Sequence, residues 1–356
     1  MKIVDEIKLD FDDILLVPAR SLAASRKEVD LKRNFKFFHS PKEWHGLPVV
    51  AANMDTTGTF NMGYALAKHE AITCLHKHNN SDRTVEYFKH YNIESSVWAS
   101  IGMNQEDLNS LYVVRDGIHS DPNICIDIAN GYTDRFVEWC AKVRSEFPDS
   151  IIMAGNVCTP EMVQELVLHG GADVVKIGIG PGSACTTRLK TGVGYPQLSA
   201  IIECSHAAHG LKSSEGRMGL VCADGGCRVP ADVCKAFAAN ADFVMLGGML
   251  AGTDECEGDW EYDISDDGKE IKTHMSFYGM SSEKAQDKYN GGMNSYVASE
   301  GRTKIIPYKG SADSVMSDIK GGLRSCCAYV GATCLKDLPK CAKAIKVNRT
   351  HFDKSI

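Results

Sequence analysis

One cysteine lies in an unusual loop sequence at residues 178–188, GIGPGSACTTR. Glycines, a proline and small hydroxyl residues surround Cys185, a setting that a cysteine filling a core does not need. A thiol in an exposed loop can ionise beside backbone N–H groups or a cation and act as a nucleophile. Thr186 and Thr187 can pass protons next to it. From spacing alone, Cys185 is either a nucleophile or a packed loop residue.

Two glycine pairs end later apolar segments, Gly225 with Gly226 in CADGG and Gly247 with Gly248 in MLGG. Glycine lets the backbone come close to a ligand, and the N–H groups of such turns bind phosphate. A single pair can simply terminate a strand. Because two successive segments end in this way, the pattern favours a phosphate site.

Charged residues also follow apolar segments. Asp127 and Asp224 stand at the ends of otherwise apolar runs, where a carboxylate needs a partner. That partner is either a ribose hydroxyl or the backbone of a following helix or loop. Lys77, between His76 and His78, is either a cofactor contact or a solvated charge. The two histidines are weak grounds for a metal site.

Eight short apolar, β-branched runs alternate with segments of helical periodicity. In the segment that begins at Thr133, for example, Phe136, Cys140 and Val143 recur at helical spacing. Thr159 is a predicted helix N-cap, with Glu161 in the first turn. The predicted strands are residues 47–55, 71–75, 96–102, 123–130, 150–156, 174–180, 218–226 and 242–249.

This alternation predicts a parallel sheet, and eight units favour a closed (β/α)8 TIM barrel in the α/β class. An open doubly wound sheet is the alternative, although no GxGxxG follows the first strand. No linker divides residues 1–356, which predicts one barrel domain with N-terminal and C-terminal extensions. Within residues 252–275, alternation around Asp267 and Gly268 predicts a surface flap hairpin.

The composition excludes several classes of protein. The formal net charge is -7 and no basic block occurs, so neither nucleic acid nor an anionic membrane is an expected partner. The 14 cysteines form no CxxC pair, and most are expected to be reduced and buried. The acidic start and the lack of a run of about 18 apolar residues predict a soluble intracellular protein.

Taken together, these motifs resemble the IMP dehydrogenase/GMP reductase family. The similarity extends from DFDDILLVPARS near the start to GGLRSCCAYVGA near the end. GIGPGSACTTR resembles the family's catalytic cysteine loop, DGG and LGG resemble its nucleotide-binding segments, and AANMD resembles its first barrel strand. The resemblance therefore implies a barrel enzyme that acts on purine nucleotides.

Within the family, the sequence is more similar to the reductase branch. GVGYPQ from Gly192 and FYGMSSE from Phe277 stand where dehydrogenases typically have GVGRPQ and YRGMGS. After CLHKH the chain passes directly into a helical segment, leaving no room for the regulatory insert of most dehydrogenases. The Arg-Tyr flap pair with which dehydrogenases activate water is not seen either. The resemblance thus implies a cytosolic homotetramer that converts GMP to IMP and ammonia with NADPH in purine nucleotide salvage.

The resemblance also implies residue roles. Cys185 would attack C2 of the purine, while Thr187 and Glu300 would move protons to the departing ammonia. The implied GMP contacts are Ser183, Asp224, Gly225, Gly226, Gly247, Gly248, Gly279, Met280, Ser281, Ala298, Ser299 and Gly301. The implied NADPH contacts are Ser25, Arg26, Lys77, Asp127, Ile128, Ala129, Gly180, Pro181, Met280, Tyr296, Val297 and Ser325. The implied ligands of a potassium ion are the backbone carbonyls of Gly180, Gly182, Cys185 and Arg188.

The sequence departs from the reductase pattern at three places. Val297 stands where reductases usually have arginine. If that arginine contacts NADPH, either Lys77, Arg26 or Arg302 replaces its charge, or the affinity and preference for the cofactor have changed. The segment LKSSEGRMG is longer than usual, and Cys326 with Cys327 is also unusual.

Two other functions stay open at this point. One is a dehydrogenase that takes IMP and NAD to XMP. The other is a non-catalytic barrel that binds purine nucleotides as a regulatory subunit, which the substitution at Val297 would permit.

Overall fold

Eight parallel strands close into a barrel at the centre of the protein. The structure is a computed structural model that describes residues 1–21, 25–91, 93–214, 216–292 and 298–348. The last strand pairs with the first, with Val244 opposite Val49 and Leu246 opposite Ala51. The predicted (β/α)8 barrel is therefore confirmed, and the open sheet is excluded. The strands are β1 (Val49–Ala51), β2 (Ile72–Cys74), β3 (Val97–Ile101), β4 (Ile124–Asp127), β5 (Ile152–Val157), β6 (Val174–Ile177), β7 (Leu220–Asp224) and β8 (Phe243–Leu246).

A helix follows each barrel strand. Thr59, Asn104 and Thr133 cap three of these helices, each accepting a hydrogen bond from a backbone N–H of the first turn. Two others begin at a proline, whose missing N–H costs nothing in the first turn. The helices are α1 (Phe60–Ala67), α2 (Ser81–Tyr91), α3 (Gln105–Ile118), α4 (Asp134–Glu146), α5 (Pro160–Leu168), α6 (Gln197–Gly210), α7 (Pro230–Ala238) and α8 (Ala312–Val330).

The helix periodicity read from the sequence matches the packing. Phe136, Cys140 and Val143 are the buried residues of α4, and they contact the outer face of the barrel. Thr159 precedes α5 at the N-cap position, as predicted, although its side chain makes no capping hydrogen bond. All 14 cysteines lie in the described part of the chain; each is a free thiol, and nine are buried. The prediction that most of the cysteines are buried is thus confirmed.

Aromatic side chains close the amino-terminal end of the barrel. The hairpin of Arg33–Lys36 and Glu43–Gly46 places Phe35 and Trp44 against Phe243 at the start of β8. The ring centroids of Phe35 and Phe243 are 4.6 Å apart, and those of Trp44 and Phe243 are 5.5 Å apart. With this end closed, the carboxyl ends of the strands are left to form a ligand pocket.

The predicted hairpin belongs to a three-stranded antiparallel sheet, called the flap sheet here. Its strands are Trp260–Ile264, Glu270–Tyr278 and Thr303–Pro307. The turn lies at Asp267 and Gly268 as predicted, where Gly268 N donates to Ser265 O. The second strand continues past residue 275 to Tyr278, because Thr303–Pro307 pairs with its inner half.

The remaining elements are short and lie outside the barrel. No helix in the described ranges has the length and apolar character needed to cross a membrane. The paired strands are Ile14–Leu16 with Ala344–Lys346, and Lys212–Ser213 with Gly216–Arg217. The short helices are Phe11–Asp13, Arg26–Glu28, Thr187–Thr191, Glu283–Asn290, Leu335–Asp337 and Leu338–Cys341.

Candidate active site

One pocket at the carboxyl ends of the barrel strands collects most of the predicted site residues. Its wall comes from the ends of β1 and of β4 to β8, and from Phe277, residues 279–281 and Glu300 outside the barrel. The predicted nucleotide residues on the wall are Ser183, Asp224, Gly225, Gly226, Gly247, Gly248, Gly279, Met280 and Ser281. The predicted cofactor residues on it are Asp127, Ile128, Ala129, Gly180 and Met280.

Cys185, Thr187 and Glu300 form a hydrogen-bonded chain on this wall. The sulfur of Cys185 lies 3.2 Å from the hydroxyl oxygen of Thr187, which donates to a carboxylate oxygen of Glu300 at 2.7 Å. All three side chains are partly accessible from the pocket. Elsewhere, burial raises the pKa of cysteines such as Cys140 and Cys204, which suppresses their thiolate form. Cys185 therefore differs from the core cysteines because its side chain is accessible from the pocket.

The segment around Glu300 holds the cysteine loop in place. Thr186 N donates to Glu300 O at 2.7 Å, and Arg302 N donates to Ala184 O at 2.9 Å. The guanidinium group of Arg302 donates twice more to Ser183 O, at 3.0 and 3.1 Å. Backbone hydrogen bonds thus hold the cysteine loop against the segment around Glu300. The distance between Thr187 and Glu300 therefore does not depend on side-chain contacts alone.

Three predicted nucleotide residues lie beside Glu300 rather than on the pocket wall. Gly301 pairs with Cys185 in an antiparallel bridge, and Ser299 O accepts a hydrogen bond from Thr186 at 3.3 Å. Ala298 is exposed at the start of this segment. The segment therefore borders the pocket through backbone contacts with the cysteine loop.

The glycines after β7 let two loops approach closely. Gly225 has a φ of +86° and Gly226 a φ of +88°, a region that favours glycine. A Cβ atom on Gly225 would lie 3.2 Å from the backbone nitrogen of Gly182 in the cysteine loop. The predicted phosphate glycines thus leave backbone groups, rather than side chains, facing the pocket.

Asp127 and Asp224 share a partner that the sequence interpretation did not identify. Lys176 in β6 hydrogen-bonds to Asp127, and its Nζ lies 3.0 Å from a carboxylate oxygen of Asp224. Asn156 donates to the same Asp224 oxygen at 2.8 Å and to Gly178 O at 2.8 Å. The carboxylates are therefore held by a buried ammonium group and an amide, not by the backbone of a following helix.

This ion cluster shifts the ionisation of its members. Burial alone would raise the pKa of Asp127, but the charge and the hydrogen bond of Lys176, with smaller contributions from Asn53 and Lys77, together hold that pKa below its usual value. Burial would lower the pKa of Lys176, but Asp127 and Asp224 raise it well above the usual value. Lys176 is therefore charged at neutral pH although its side chain is only 2% exposed. A lysine within an apolar strand was the signal available in the sequence.

The loop after β2 places Lys77 outside the main pocket. Lys77 lies beside Gly102 and Asp107, at a smaller cavity between α2 and α3. Burial lowers the pKa of its neighbour His76 to about 4, so that imidazole is neutral near pH 7. His78 instead stacks on Tyr289 with ring centroids 3.7 Å apart. Among the described residues, no group of three or more His, Cys, Asp or Glu side chains could hold a metal ion.

Nearly the whole sequence matches one known family. The family profile described as "IMP dehydrogenase / GMP reductase domain" matches residues 8–355. The chain belongs to the IMP dehydrogenase/GMP reductase family. Among its relatives, the GMP reductase of Vibrio atlanticus (strain LGP32) is 50% identical over 349 residues, 98% of this chain and 97% of that protein. GMP reductase 1 of Rattus norvegicus and GMP reductase 1 of Homo sapiens are each 49% identical over 347 residues, 97% of this chain and 97% of each relative.

Members of this family are expected to bind a cofactor, but three of the predicted cofactor residues lie far from the pocket. Arg26 lies over the ring of Tyr329, with 5.5 Å from its Cζ to the ring centroid. Ser25 caps the short helix that begins at Arg26, and Ser325 lies one turn before Tyr329 on α8. Since α8 runs antiparallel to the strands, its last turns lie at the amino-terminal end of the barrel. Ser25, Arg26 and Ser325 are accordingly absent from the wall of the pocket.

The family's predicted cation ligands lie in the cysteine loop. Gly180, Gly182 and Cys185 all line the pocket, and the side chain of Arg188 packs against Gly180. Gly180 has a φ of +84°, which lets the loop turn over that side chain. Backbone carbonyl oxygens in one tight loop are ligands that suit a monovalent cation.

The remaining cofactor predictions lie elsewhere. Pro181 follows Gly180 and packs against Gly225. Two further cofactor predictions, Tyr296 and Val297, lie outside the described residues.

A buried carboxylate ties the flap sheet and the helix Glu283–Asn290 to the barrel. One oxygen of Asp55 accepts hydrogen bonds from Tyr278 at 2.6 Å, Tyr289 at 2.8 Å and Lys288 at 2.9 Å. Burial would raise the pKa of Asp55, but these donors hold it below its usual value. Residues 279–281 on the pocket wall stand between Tyr278 and this helix, so Asp55 anchors them from outside the pocket.

Asp55→Asn is expected to weaken GMP binding by about 10-fold, because a neutral amide cannot keep three hydrogen bonds that include a charged one. Isothermal titration with GMP measures this loss, and thermal unfolding reports any loss of stability. Asp267→Asn in the exposed turn of the flap sheet is the matched control, expected to change neither quantity. Unchanged GMP binding in Asp55→Asn would show that this tether does not position the pocket wall.

Proposed function

We propose that this protein is a GMP reductase, which uses NADPH to convert GMP to IMP and ammonia. The observation that carries the proposal is the chain from Cys185 through Thr187 to Glu300 on the wall of a glycine-lined pocket. A nucleophile within reach of a proton relay suits a reaction in which a ring carbon is attacked and an amine leaves. Family membership and the names of the relatives support the same activity.

In the proposed reaction, the Cys185 thiolate attacks C2 of the guanine ring and forms a C–S bond. The bond from C2 to the exocyclic nitrogen then breaks, and Thr187 with Glu300 passes a proton to the nitrogen that leaves as ammonia. When bound, NADPH supplies the hydride that C2 receives. The C–S bond breaks, IMP is released and Cys185 returns to the thiolate. The covalent adduct divides one difficult displacement into two easier steps.

The proposed GMP site uses the segments that meet around Cys185. The ribose hydroxyls would donate to Asp224, whose carboxylate is 20% exposed beside Lys176. The phosphate would lie against backbone N–H groups of the glycine pairs after β7 and β8 and of residues 279–281. Ser183 and residues 298–301 would close the remaining side.

The residues present also fit a nicotinamide nucleotide. The side chain of Asp127 is 32% exposed, so its carboxylate can accept a hydrogen bond from a hydroxyl of the cofactor. The buried Oδ1 atom of Asn156 has no partner and lies on the same wall, where an amide or hydroxyl donor would satisfy it. Ile128, Ala129, Gly180, Pro181 and Met280 would supply the neighbouring surface, with Lys77 near the phosphates. A potassium ion on the carbonyls of residues 180, 182, 185 and 188 would fix the cysteine loop.

We further propose that the enzyme is a cytosolic homotetramer in which Ser25, Arg26 and Ser325 of one subunit contact the cofactor bound to its neighbour. These three residues lie together on an accessible face at the amino-terminal end of the barrel. A cationic side chain on that face suits the phosphates of a dinucleotide. Each pocket would then be complete only in the assembly.

Mixed tetramers test this arrangement. Arg26→Ala is expected to lower kcat/KM for NADPH by about 10-fold, because one charged hydrogen bond is lost. Coexpression of Arg26→Ala subunits with Cys185→Ala subunits should raise the activity per intact Cys185 site. In a random 1:1 mixture, about half of the sites with an intact Cys185 face a neighbour with an intact Arg26. A mixture no more active than Arg26→Ala alone would show that Arg26 does not serve a neighbouring pocket.

The proposed activity is tested by the loss of NADPH absorbance with GMP, together with measurement of IMP and ammonia. Equal amounts of the two products and of oxidised cofactor are expected. A parallel assay with IMP and NAD separates the alternatives: XMP formation there would make the protein a dehydrogenase, and GMP binding without turnover in either assay would favour a regulatory barrel.

A further inference from the structure

Lys176 stands between the two proposed ligand subsites. Its ammonium group contacts Asp127, which is proposed to bind the cofactor, and Asp224, which is proposed to bind the GMP ribose. Asp127 ends β4, Lys176 lies in β6 and Asp224 ends β7, so the barrel itself brings the three groups together. Lys176 itself is almost fully buried.

The charges of this cluster do not cancel. One ammonium group faces two carboxylates, which leaves a net charge of about -1 at the bottom of the pocket. Without the lysine, two partly buried carboxylates would face each other, and like charges at such a site hold a proton at neutral pH. A protonated carboxyl group is a poorer acceptor for a ribose hydroxyl than a carboxylate is.

We propose that Lys176 is a positioning residue that serves both subsites at once, as the shared counter-ion that holds Asp127 and Asp224 in the orientation that meets their ligands. This inference rests on the proposed function for the identity of the two ligands. It goes further because it joins substrate affinity and cofactor affinity through one side chain that contacts both carboxylates. Asn156, bonded to Asp224 and to Gly178 O, fixes the second carboxylate from the other side.

Among the residues that the structure describes, Lys176 is the cation that forms ion pairs with Asp127 and Asp224. Lys77 acts on Asp127 only through space, from the loop after β2. Asn53 adds a hydrogen bond to Asp127 without charge. The ionisable groups that face the cluster from the neighbouring strands are Cys74 on β2, Cys125 and Asp127 on β4, and Cys222 and Asp224 on β7.

Lys176→Met tests the shared role, because methionine keeps the unbranched chain of lysine as far as Cε and removes the charged ammonium group. We expect GMP binding and NADPH binding each to weaken by about 10- to 100-fold at pH 7. The pH dependence has a definite sign: between about pH 6 and pH 8, the GMP affinity of Lys176→Met relative to that of the wild-type protein should rise with pH as the shared proton leaves. The ratio of the two affinities removes the titration of the GMP phosphate, whose second pKa is about 6. Titration calorimetry with GMP alone and NADPH fluorescence measure both affinities without turnover.

Two further variants separate positioning from a purely structural role. Lys176→Arg keeps the charge and is expected to retain most of both affinities. Asp127→Asn combined with Lys176→Met has the net charge of the wild-type cluster, and should bind GMP within about 5-fold of Asp127→Asn alone. This second comparison also carries the test if Lys176→Met itself does not fold. Lys269→Met, on an exposed side chain of the flap sheet, is the control.

The proposal is overturned if Lys176→Met binds both ligands as the wild-type protein does, or if the double variant loses GMP affinity far beyond Asp127→Asn. Failure of the proposed reductase activity would look different. In that case the wild-type protein would bind GMP without consuming NADPH, and the GMP titrations of the lysine variants would still give a result.

Discussion

Cys185→Ala is expected to lower kcat/KM for GMP by about 10⁵-fold or more, because burial raises the pKa of Cys227, the other described cysteine on the pocket wall, and suppresses its thiolate form. GMP binding should change by less than about 3-fold, since the binding groups around the nucleotide remain in place. The fold should persist, because Cys185 is partly exposed and its loop is held by backbone hydrogen bonds from Thr186 and Arg302. NADPH consumption, GMP titration and thermal unfolding measure the three quantities.

Cys341→Ala is the matched control for this variant, since Cys341 is also a partly exposed free thiol but lies in the short helix after α8. It should keep wild-type activity. A Cys185→Ala protein that retained a tenth of the activity would contradict covalent catalysis by this residue, and would favour a direct displacement at C2 instead.

The barrel could be predicted from the sequence because its strands and helices follow local rules. Each apolar run overlaps a barrel strand, and the spacing of Phe136, Cys140 and Val143 identifies the buried face of α4. The flap hairpin could be predicted from its turn residues, but its third strand could not. Thr303–Pro307 is separated from the hairpin by a helix, and local alternation gives no information on such a pairing.

The pocket was harder to predict because its residues come from distant parts of the chain. Thr187 and Glu300 are 113 residues apart, and only the family resemblance brought them together before the structure was known. Lys176 was overlooked because its strand reads as an apolar run, and its partners lie at the ends of two other strands. The position of Ser25 and Arg26 could not be predicted at all, since it depends on how the N-terminal segment packs against α8.

Glu300→Gln is expected to lower kcat by about 10²–10⁴-fold, which is the typical rate contribution of general acid-base catalysis. GMP affinity should change little. The amide can still accept the hydrogen bond from Thr187, so the geometry is kept while the proton is lost. Thr187→Val interrupts the same hydrogen-bonded chain, because it removes the hydroxyl that lies between Cys185 and Glu300. Since the two residues act as one relay, the kcat of the double variant should lie within about 3-fold of the kcat of the slower single variant.

Stopped-flow measurement of NADPH oxidation, with ammonia release followed in parallel, tests this relay. Glu261→Gln, on the exposed outer strand of the flap sheet, is the control and should behave as the wild-type protein. If the effects of Glu300→Gln and Thr187→Val multiply in the double variant, the two residues act in separate steps. A normal kcat in Glu300→Gln would instead mean that the leaving ammonia takes its proton from water or from another group in the pocket.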